Sequence, residues 1–167
     1  NNMKTIVTNI GMLATPQGTG PKKGPEQGEI QILKDAWVLM EDGVITYIGP
    51  EAREAEEVID AAGCIAYPGL VNTHHHLYQT FSRNLPQVQN MELFDWLRTL
   101  YEIWKNLDAD VIYHSSLVGM GELMKNGCTT CFDHHYVFPQ GQADGLLDAQ
   151  FAAARALGVR MFASRGS

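Results

Sequence analysis

The first 66 residues place apolar runs between turn-forming residues, a pattern typical of β-structure. Two β-branched, apolar runs, KTIVTNIGMLA and EIQILKDAWVLMEDGVITYIGP, flank a loop rich in glycine, proline and lysine. Within the second run, Asp42-Gly43 predicts a tight hairpin turn between two strands. The acidic stretch EAREAEEVIDAAG predicts a short helix or turn, and CIAYPG predicts a return to extended chain before Pro68.

From Pro68 onward the pattern changes to strands that alternate with amphipathic helices. MELFDWLRTLYEIWKNL has apolar residues at helical spacing, and a second helix is expected from the N-cap Asp108 to Gly127. A third helix is expected to end at Gly158. The strands lie in LVNTHHH, CTTCFDHHYVFP and VRMFASRGS, and the first two become polar at their carboxyl ends.

This alternation predicts an α/β fold with a parallel sheet. A closed parallel barrel needs eight such units and about 250 residues, whereas only three of its strands are visible here. We therefore expect the chain to be the N-terminal part of a longer protein. A small three-stranded α/β layer is the alternative.

Composition narrows the classes of partner. The net charge of −7 argues against nucleic acid and anionic membranes, because both favour a basic face. No apolar stretch of the sequence approaches the roughly 18 residues that a membrane span needs. The three cysteines, an odd number, indicate a reducing compartment, and we expect the protein to be cytoplasmic.

Three consecutive histidines follow the first apolar strand of the second region. Residues i and i+2 of a strand point to one face, so His74 and His76 should project together and His75 should point the opposite way, as a hydrogen-bonded packing residue. Two imidazoles placed in this way can bind one metal ion. A second pair, His134-His135, ends the next strand, and parallel strand ends are neighbours. This favours a metal site, although a structural or surface role for the histidines stays open.

The spacing C-x-x-C at Cys128 and Cys131 suggests zinc or redox chemistry as a second possibility. Thr129 and Thr130 favour a strand, however, which directs the two thiols to opposite faces. Redox pairs of this spacing lie at helix starts. We therefore predict buried thiols.

The segment PGLVNTHHHLYQT resembles the signature P-G-[LF]-[IV]-[ND]-x-H-x-H of the amidohydrolase superfamily. Together, NTHHHLYQT, LFDWLRTLY, GCTTCFDHHYVFP and SRGS look like the branch that contains s-triazine hydrolases and aminopurine or pterin deaminases, and within it like 8-oxoguanine deaminases and hydroxydechloroatrazine ethylaminohydrolases. The stretch GPKKGPEQGEIQILKDAWVLMEDGVITYIG is also similar to imidazolonepropionases. The resemblance covers essentially the whole chain.

The resemblance implies a distorted (β/α)₈ TIM barrel flanked by a β-sandwich. Residues 1–66 would belong to the sandwich, and residues 67–167 would form the first three β/α units of the barrel. His74 and His76 match two metal ligands, whereas the remaining ligands and the acid/base residues are expected beyond Ser167. The residues that the resemblance places in the substrate pocket are Gln79, Trp96, His135 and Tyr136.

The implied activity is hydrolytic deamination of an amino-substituted N-heterocycle such as 8-oxoguanine. Hydroxide bound to one Zn²⁺ ion would attack the ring carbon and release ammonia, and iron is also compatible with these ligands. Alternatives are an s-triazine amino- or chlorohydrolase, an imidazolonepropionase-like ring hydrolase, and a non-catalytic metal-binding or structural fragment. Expected partners are the small heterocycle, the remainder of the same polypeptide and further copies of the protein. Residues 1–167 alone should be inactive.

Overall fold

The computed structural model describes residues 3–142 and 144–166. The chain divides between Pro68 and Gly69 into two compact units. Within the described ranges, none of the helices combines the length and the hydrophobicity that a membrane span requires.

The first unit is built on one five-stranded sheet. Its strands are β1 (Lys4–Pro16), β2 (Ile30–Glu41), β3 (Val44–Gly49), β4 (Glu57–Asp60) and β5 (Ile65–Ala66), and a 3₁₀-helix spans Gly24–Gly28. The strand order is β3-β2-β1-β4, and β5 also pairs with β1. The pairs β1–β2 and β2–β3 are antiparallel, whereas β4 and β5 run parallel to β1.

The predicted hairpin at Asp42-Gly43 is confirmed. Glu41 of β2 pairs with Val44 of β3, so only two residues form the turn. Asp42 and Gly43 both have positive φ, at 50° and 78°. Two consecutive left-handed residues form the turn type that matches the twist of a hairpin, and aspartate followed by glycine adopts it at little steric cost.

The prediction of a short acidic helix or turn before residue 63 is wrong, because part of this segment is strand β4. Thr5 of β1 pairs with Glu57, and its hydroxyl donates to the Glu57 carboxylate at 2.8 Å. The backbone N–H of Lys4 donates to the Glu56 carboxylate at 3.0 Å. Pairing with β1 thus satisfies both the backbone and the acidic side chains, an interaction that local composition does not reveal.

The second unit alternates strands and helices as predicted. Its elements are β6 (Leu70–His75), α1 (Leu93–Trp104), α2 (Ala109–Lys125), β7 (Cys128–His135), α3 (Leu146–Leu157) and β8 (Arg160–Arg165). The three strands form a parallel sheet in the order β6-β7-β8. Two short 3₁₀-helices, Leu77–Ser82 and Pro86–Val88, lie between β6 and α1, where no element was predicted.

The predicted helix ends of the second unit are also confirmed. Asp108 precedes α2, and its carboxylate accepts a hydrogen bond from the N–H of Val111 at 2.8 Å. Gly127 and Gly158 follow α2 and α3 with φ values of 82° and 75°. Glycine tolerates this left-handed conformation, which ends a helix and redirects the chain into the next strand.

Both cysteines of the C-x-x-C segment are buried on β7, in agreement with the prediction. Cys128 and Cys131 are free thiols. Burial raises the pKa of Cys131 to about 12, which keeps its thiol protonated at neutral pH. Redox or metal chemistry at Cys131 is therefore disfavoured.

Helix α2 packs closely on the 3₁₀-helix Leu77–Ser82, and Gly119 permits this approach. A methyl group on Gly119 would lie 2.8 Å from Cδ2 of Leu77 and 3.0 Å from the hydroxyl of Thr80. The side chain of Leu77 has no accessible surface, so it has little room to move. Gly121 lies two residues further along α2, where an added methyl group meets nothing within 4 Å.

These two glycines predict opposite effects of the same substitution. Gly121→Ala should raise the free energy of unfolding by about 0.5–1 kcal/mol, because alanine loses less backbone entropy in a helix. Gly119→Ala should lower it by about 1 kcal/mol, because overpacking outweighs that gain. Urea unfolding followed by circular dichroism measures both variants, and a stabilised Gly119→Ala protein would contradict the close packing.

Candidate metal and substrate site

His74 and His76, the histidine pair, lie side by side at the carboxyl end of β6. Their Nε2 atoms are 3.1 Å apart, and their rings are close to perpendicular. Two nitrogens bound to one zinc ion at about 2.0–2.1 Å, with an angle of about 95–110° between them, lie about 3.0–3.4 Å apart. The observed separation therefore fits two nitrogens that share a single metal ion.

A hydrogen bond from the neighbouring strand fixes the ring of His76. Its Nδ1 lies 2.8 Å from the backbone carbonyl oxygen of His134 on β7. A carbonyl oxygen can only accept, so Nδ1 carries a proton, and in the neutral ring this leaves the lone pair on Nε2. Metal-binding histidines are oriented by this kind of second hydrogen bond.

The histidine pair provides only part of a complete metal site. Structural zinc sites typically use four protein ligands and catalytic sites three. Residues 3–142 and 144–166 contain no group of three His, Cys, Asp or Glu side chains that could hold a metal ion.

His75 points away from the histidine pair and packs towards α2. Its Cε1 atom lies 3.8 Å from the position that a methyl group on Gly119 would occupy. Burial lowers the pKa of His75, which favours the neutral ring. The expected hydrogen bond is missing at one of its nitrogens, because among the described residues the buried Nδ1 has no partner.

Gln79 and Tyr136, two of the predicted substrate residues, meet beside His76. The side-chain amide of Gln79 donates to the hydroxyl of Tyr136 at 3.0 Å and to that of Tyr78 at 3.3 Å. The Tyr136 ring stands edge-on to the His76 ring, with 5.1 Å between their centroids. The side-chain amide of Gln79 and the hydroxyl of Tyr136, which can both donate and accept hydrogen bonds, therefore lie close to His76.

Trp96 lines the same small cleft as Gln79. This cleft has a volume of about 180 Å³, and its lining also includes Arg83, Asn84 and Leu100. The Trp96 ring packs edge-on against the Trp104 ring, with 5.6 Å between their centroids. The structure thus places Trp96 beside a polar side chain that could contact a ligand.

His135 differs from the expectation that it contacts substrate. Its side chain is 0% exposed, its Nε2 donates to the carbonyl oxygen of Val137 at 2.8 Å, and its ring lies between Tyr78 and Phe138. The reason is strand alternation, which turns His135 towards the helices and His134 towards the opposite face of the sheet. His135 therefore packs against the ring of Tyr78 in the interior of the unit.

The sequence reasoning noted His134 only as part of the pair His134-His135 and did not assign it to the site. Its ring centroid lies 6.1 Å from that of His76, and its Nδ1 is 2.6 Å from the hydroxyl of Ser164 on β8. Applying strand alternation to FDHHY, with Asp133 assigned to the buried face, would have selected it. Ser164 connects this histidine to the third strand of the sheet.

The sequence also matches that of known proteins. Residues 65–167 match the family model described as the amidohydrolase family. The chain belongs to the amidohydrolase family. It is similar to the hydroxydechloroatrazine ethylaminohydrolase of Pseudomonas sp. (strain ADP), with 40% identity over 81% of this chain and 31% of that protein. The 8-oxoguanine deaminase of Pseudomonas aeruginosa is likewise 40% identical, over 78% of this chain and 30% of that protein.

Solved structures show the same similarity in three dimensions. An atrazine chlorohydrolase from Arthrobacter aurescens TC1, complexed with zinc, superposes with a TM-score of 0.83 at 29% identity, over 96% of this chain and 35% of that one. The fold is therefore that of the amidohydrolase barrels, and β6, β7 and β8 are the first three barrel strands. The chain spans about a third of the length of the relatives it matches.

The buried His135 predicts that acid destabilises the fold. Burial lowers its pKa, so between that lowered value and the ordinary value of about 6.5 the unfolded chain binds more protons than the folded one. The free energy of unfolding should therefore decrease as the pH falls below about 6.5. His135→Gln, which can still donate to Val137, should weaken this decrease by about 1 kcal/mol.

Urea unfolding at pH 7.5 and pH 5.5 measures this effect. His114→Gln is the matched control, because His114 is exposed on α2. The control should keep the parent's pH dependence. Equal dependence in all three proteins would show that His135 does not contribute to it.

Proposed function

We propose that this chain provides two metal ligands and part of the substrate cleft of a hydrolase that deaminates an N-heterocycle. The observation that carries this proposal is the convergence of Nε2 of His74 and Nε2 of His76 to 3.1 Å, with the His76 proton held on Nδ1. Convergent lone pairs from two neutral imidazoles are what a divalent metal requires of its ligands. The similarity to an ethylaminohydrolase and to an 8-oxoguanine deaminase supports the reaction class.

Zinc is the proposed metal, held in part by His74 and His76, and iron is compatible with the same ligands. When bound, such an ion lowers the pKa of its water to about 7, which makes hydroxide available at neutral pH. The zinc complex of the related atrazine chlorohydrolase supports this choice. The remaining ligands and the acid/base residues are expected on later barrel strands, beyond Ser167.

The proposed substrate is a purine similar to 8-oxoguanine. Gln79 can donate and accept along one edge of such a ring, and Tyr136 can contribute a hydroxyl group. Trp96 lines the same cleft as Gln79, and the cleft volume of about 180 Å³ is small beside the roughly 300–1,000 Å³ of clefts for drug-sized ligands. A compact heterocycle suits a cleft of this size.

A triazine is the second candidate substrate, and the structural similarity to triazine hydrolases favours it specifically.

We further propose that residues 1–66 belong to a flanking β-sandwich and that residues 67–167 form the first barrel units. We also propose that the protein is a homo-oligomer and that it is located in the cytoplasm.

Metal content tests the ligand assignment. His74→Ala and His76→Ala should each reduce bound zinc from about one ion per protein to a small fraction, since loss of one imidazole leaves too few ligands. Elemental analysis of the purified intact protein measures this ratio, and His114→Ala serves as the control. Full zinc content in both variants would refute the assignment.

Ammonia release tests the reaction and the role of Gln79. The intact protein should release ammonia from 8-oxoguanine, guanine or isoxanthopterin, and Gln79→Leu should lower kcat/KM by about 10- to 100-fold, because an unpaired polar group of a bound ligand costs about 1–3 kcal/mol.

Gln27→Leu, on the surface of the first unit, is the matched control and should leave kcat/KM unchanged. Release of alkylamine or chloride from triazines, without ammonia from any purine or pterin, would favour the second candidate. Zinc binding without release of any leaving group would indicate a non-catalytic protein.

A further inference from the structure

Asp133 is a buried acidic side chain for which the proposed metal site has no use. It lies on β7 and is 0% exposed. Acidic side chains are almost never fully buried unless other groups satisfy them, because taking a charge out of water is costly. A buried carboxylate next to a metal-binding strand therefore calls for a specific role.

Two hydrogen-bond donors from different elements satisfy this side chain. The backbone N–H of Leu77 donates to Oδ1 at 2.6 Å, and the side-chain amide of Gln150 on α3 donates to Oδ2 at 2.8 Å. Gln150 is itself fully buried. Both partners donate, which matches an ionised carboxylate, a group that only accepts. Hydrogen bonds of this kind are shorter and stronger than neutral ones.

The bond to Leu77 fixes the chain directly after His76. At His76 the backbone leaves the strand, with φ −132° and ψ 79°, and the 3₁₀-helix begins at the next residue. The strand-pairing hydrogen bonds of β6 do not fix the backbone after His76, because the strand ends at His75. The carboxylate of Asp133 thus takes the place of a strand partner where the chain turns.

Consecutive residues of β7 therefore hold His76 in two ways. The carbonyl of His134 accepts from the imidazole ring, and the carboxylate of Asp133 accepts from the adjacent backbone N–H. The first bond sets the rotation of the ring, and the second sets the position of the backbone that carries it. Together they determine where Nε2 of His76 lies relative to Nε2 of His74.

We propose that Asp133, oriented by Gln150, is a positioning residue for the metal ligand His76. This inference rests on the proposed function, since it takes His76 to bind the metal. Asp133 touches neither metal nor substrate in this assignment. It acts through the backbone, and it makes the geometry of the histidine pair depend on α3.

Zinc affinity of the intact protein, measured by competition with a chromogenic chelator, tests the proposal. Asp133→Leu keeps the branched shape of the side chain and removes both of its acceptor atoms. Zinc affinity should fall by about 10- to 100-fold, the effect typical of residues that orient a ligand. Asp133→Asn keeps an acceptor for the Leu77 amide, and the Gln150 amide can turn over to accept from the new amide nitrogen, so this variant should retain most of the wild-type affinity.

Leu146→Ala is the control for a purely structural role. Leu146 is fully buried at the start of α3, so its truncation lowers the stability of the same unit and leaves both hydrogen bonds of Asp133 in place. It should leave zinc affinity unchanged. Hydrogen exchange at the Leu77 amide in metal-free protein provides a second measurement, and it should be faster in Asp133→Leu than in the wild type or in Leu146→Ala.

Unchanged zinc affinity in folded Asp133→Leu, or a loss that Leu146→Ala reproduces, would overturn the positioning role and leave the proposed function intact. If Asp133→Leu does not fold, Asp133→Ala replaces it, and unchanged affinity in that variant has the same meaning. Wild-type protein that binds no zinc through His74 and His76 would refute the proposed function itself.

Discussion

The parallel pairing of β6 with β7 is the constraint on which the candidate site depends. Asn72 pairs with Cys131 and His75 pairs with Asp133, so three steps along β6 match two steps along β7. This is a shift in register, and irregularities of this kind redirect side chains at the ends of strands. Here it brings the His76 ring under the carbonyl of His134 and the next N–H onto Asp133.

Signals that act over a few residues were sufficient to predict most elements of the second unit. An N-capping aspartate, two glycines with positive φ and the helical spacing of apolar residues each set a boundary by local physics. Strand β4 was missed because its stability comes from pairing with β1, some 50 positions earlier in the chain. The 3₁₀-helix after β6 was missed for a similar reason, since its first N–H is satisfied by Asp133 on another strand.

The same distinction applies to the site. The i, i+2 spacing of His74 and His76 is local, so the sequence alone suggested that they converge. Choosing between His134 and His135 required the phase of alternation on β7, which depends on what α3 and the 3₁₀-helix bury. Asp133 and His135 occupy that buried face, which leaves His134 on the face of the histidine pair. No pattern within FDHHY determines this phase by itself.

A buried carboxylate also explains how a chain that turns sharply can hold a ligand in place. At the end of β6 the backbone loses its strand partner. An acceptor supplied by β7 and oriented by α3 replaces that partner at a fixed distance. The short hydrogen bonds of Asp133 offset the cost of burying its charge only while β7, α3 and the 3₁₀-helix Leu77–Ser82 are packed together. The geometry of His76 is therefore a property of two β/α units, and the three-histidine motif specifies it only in part.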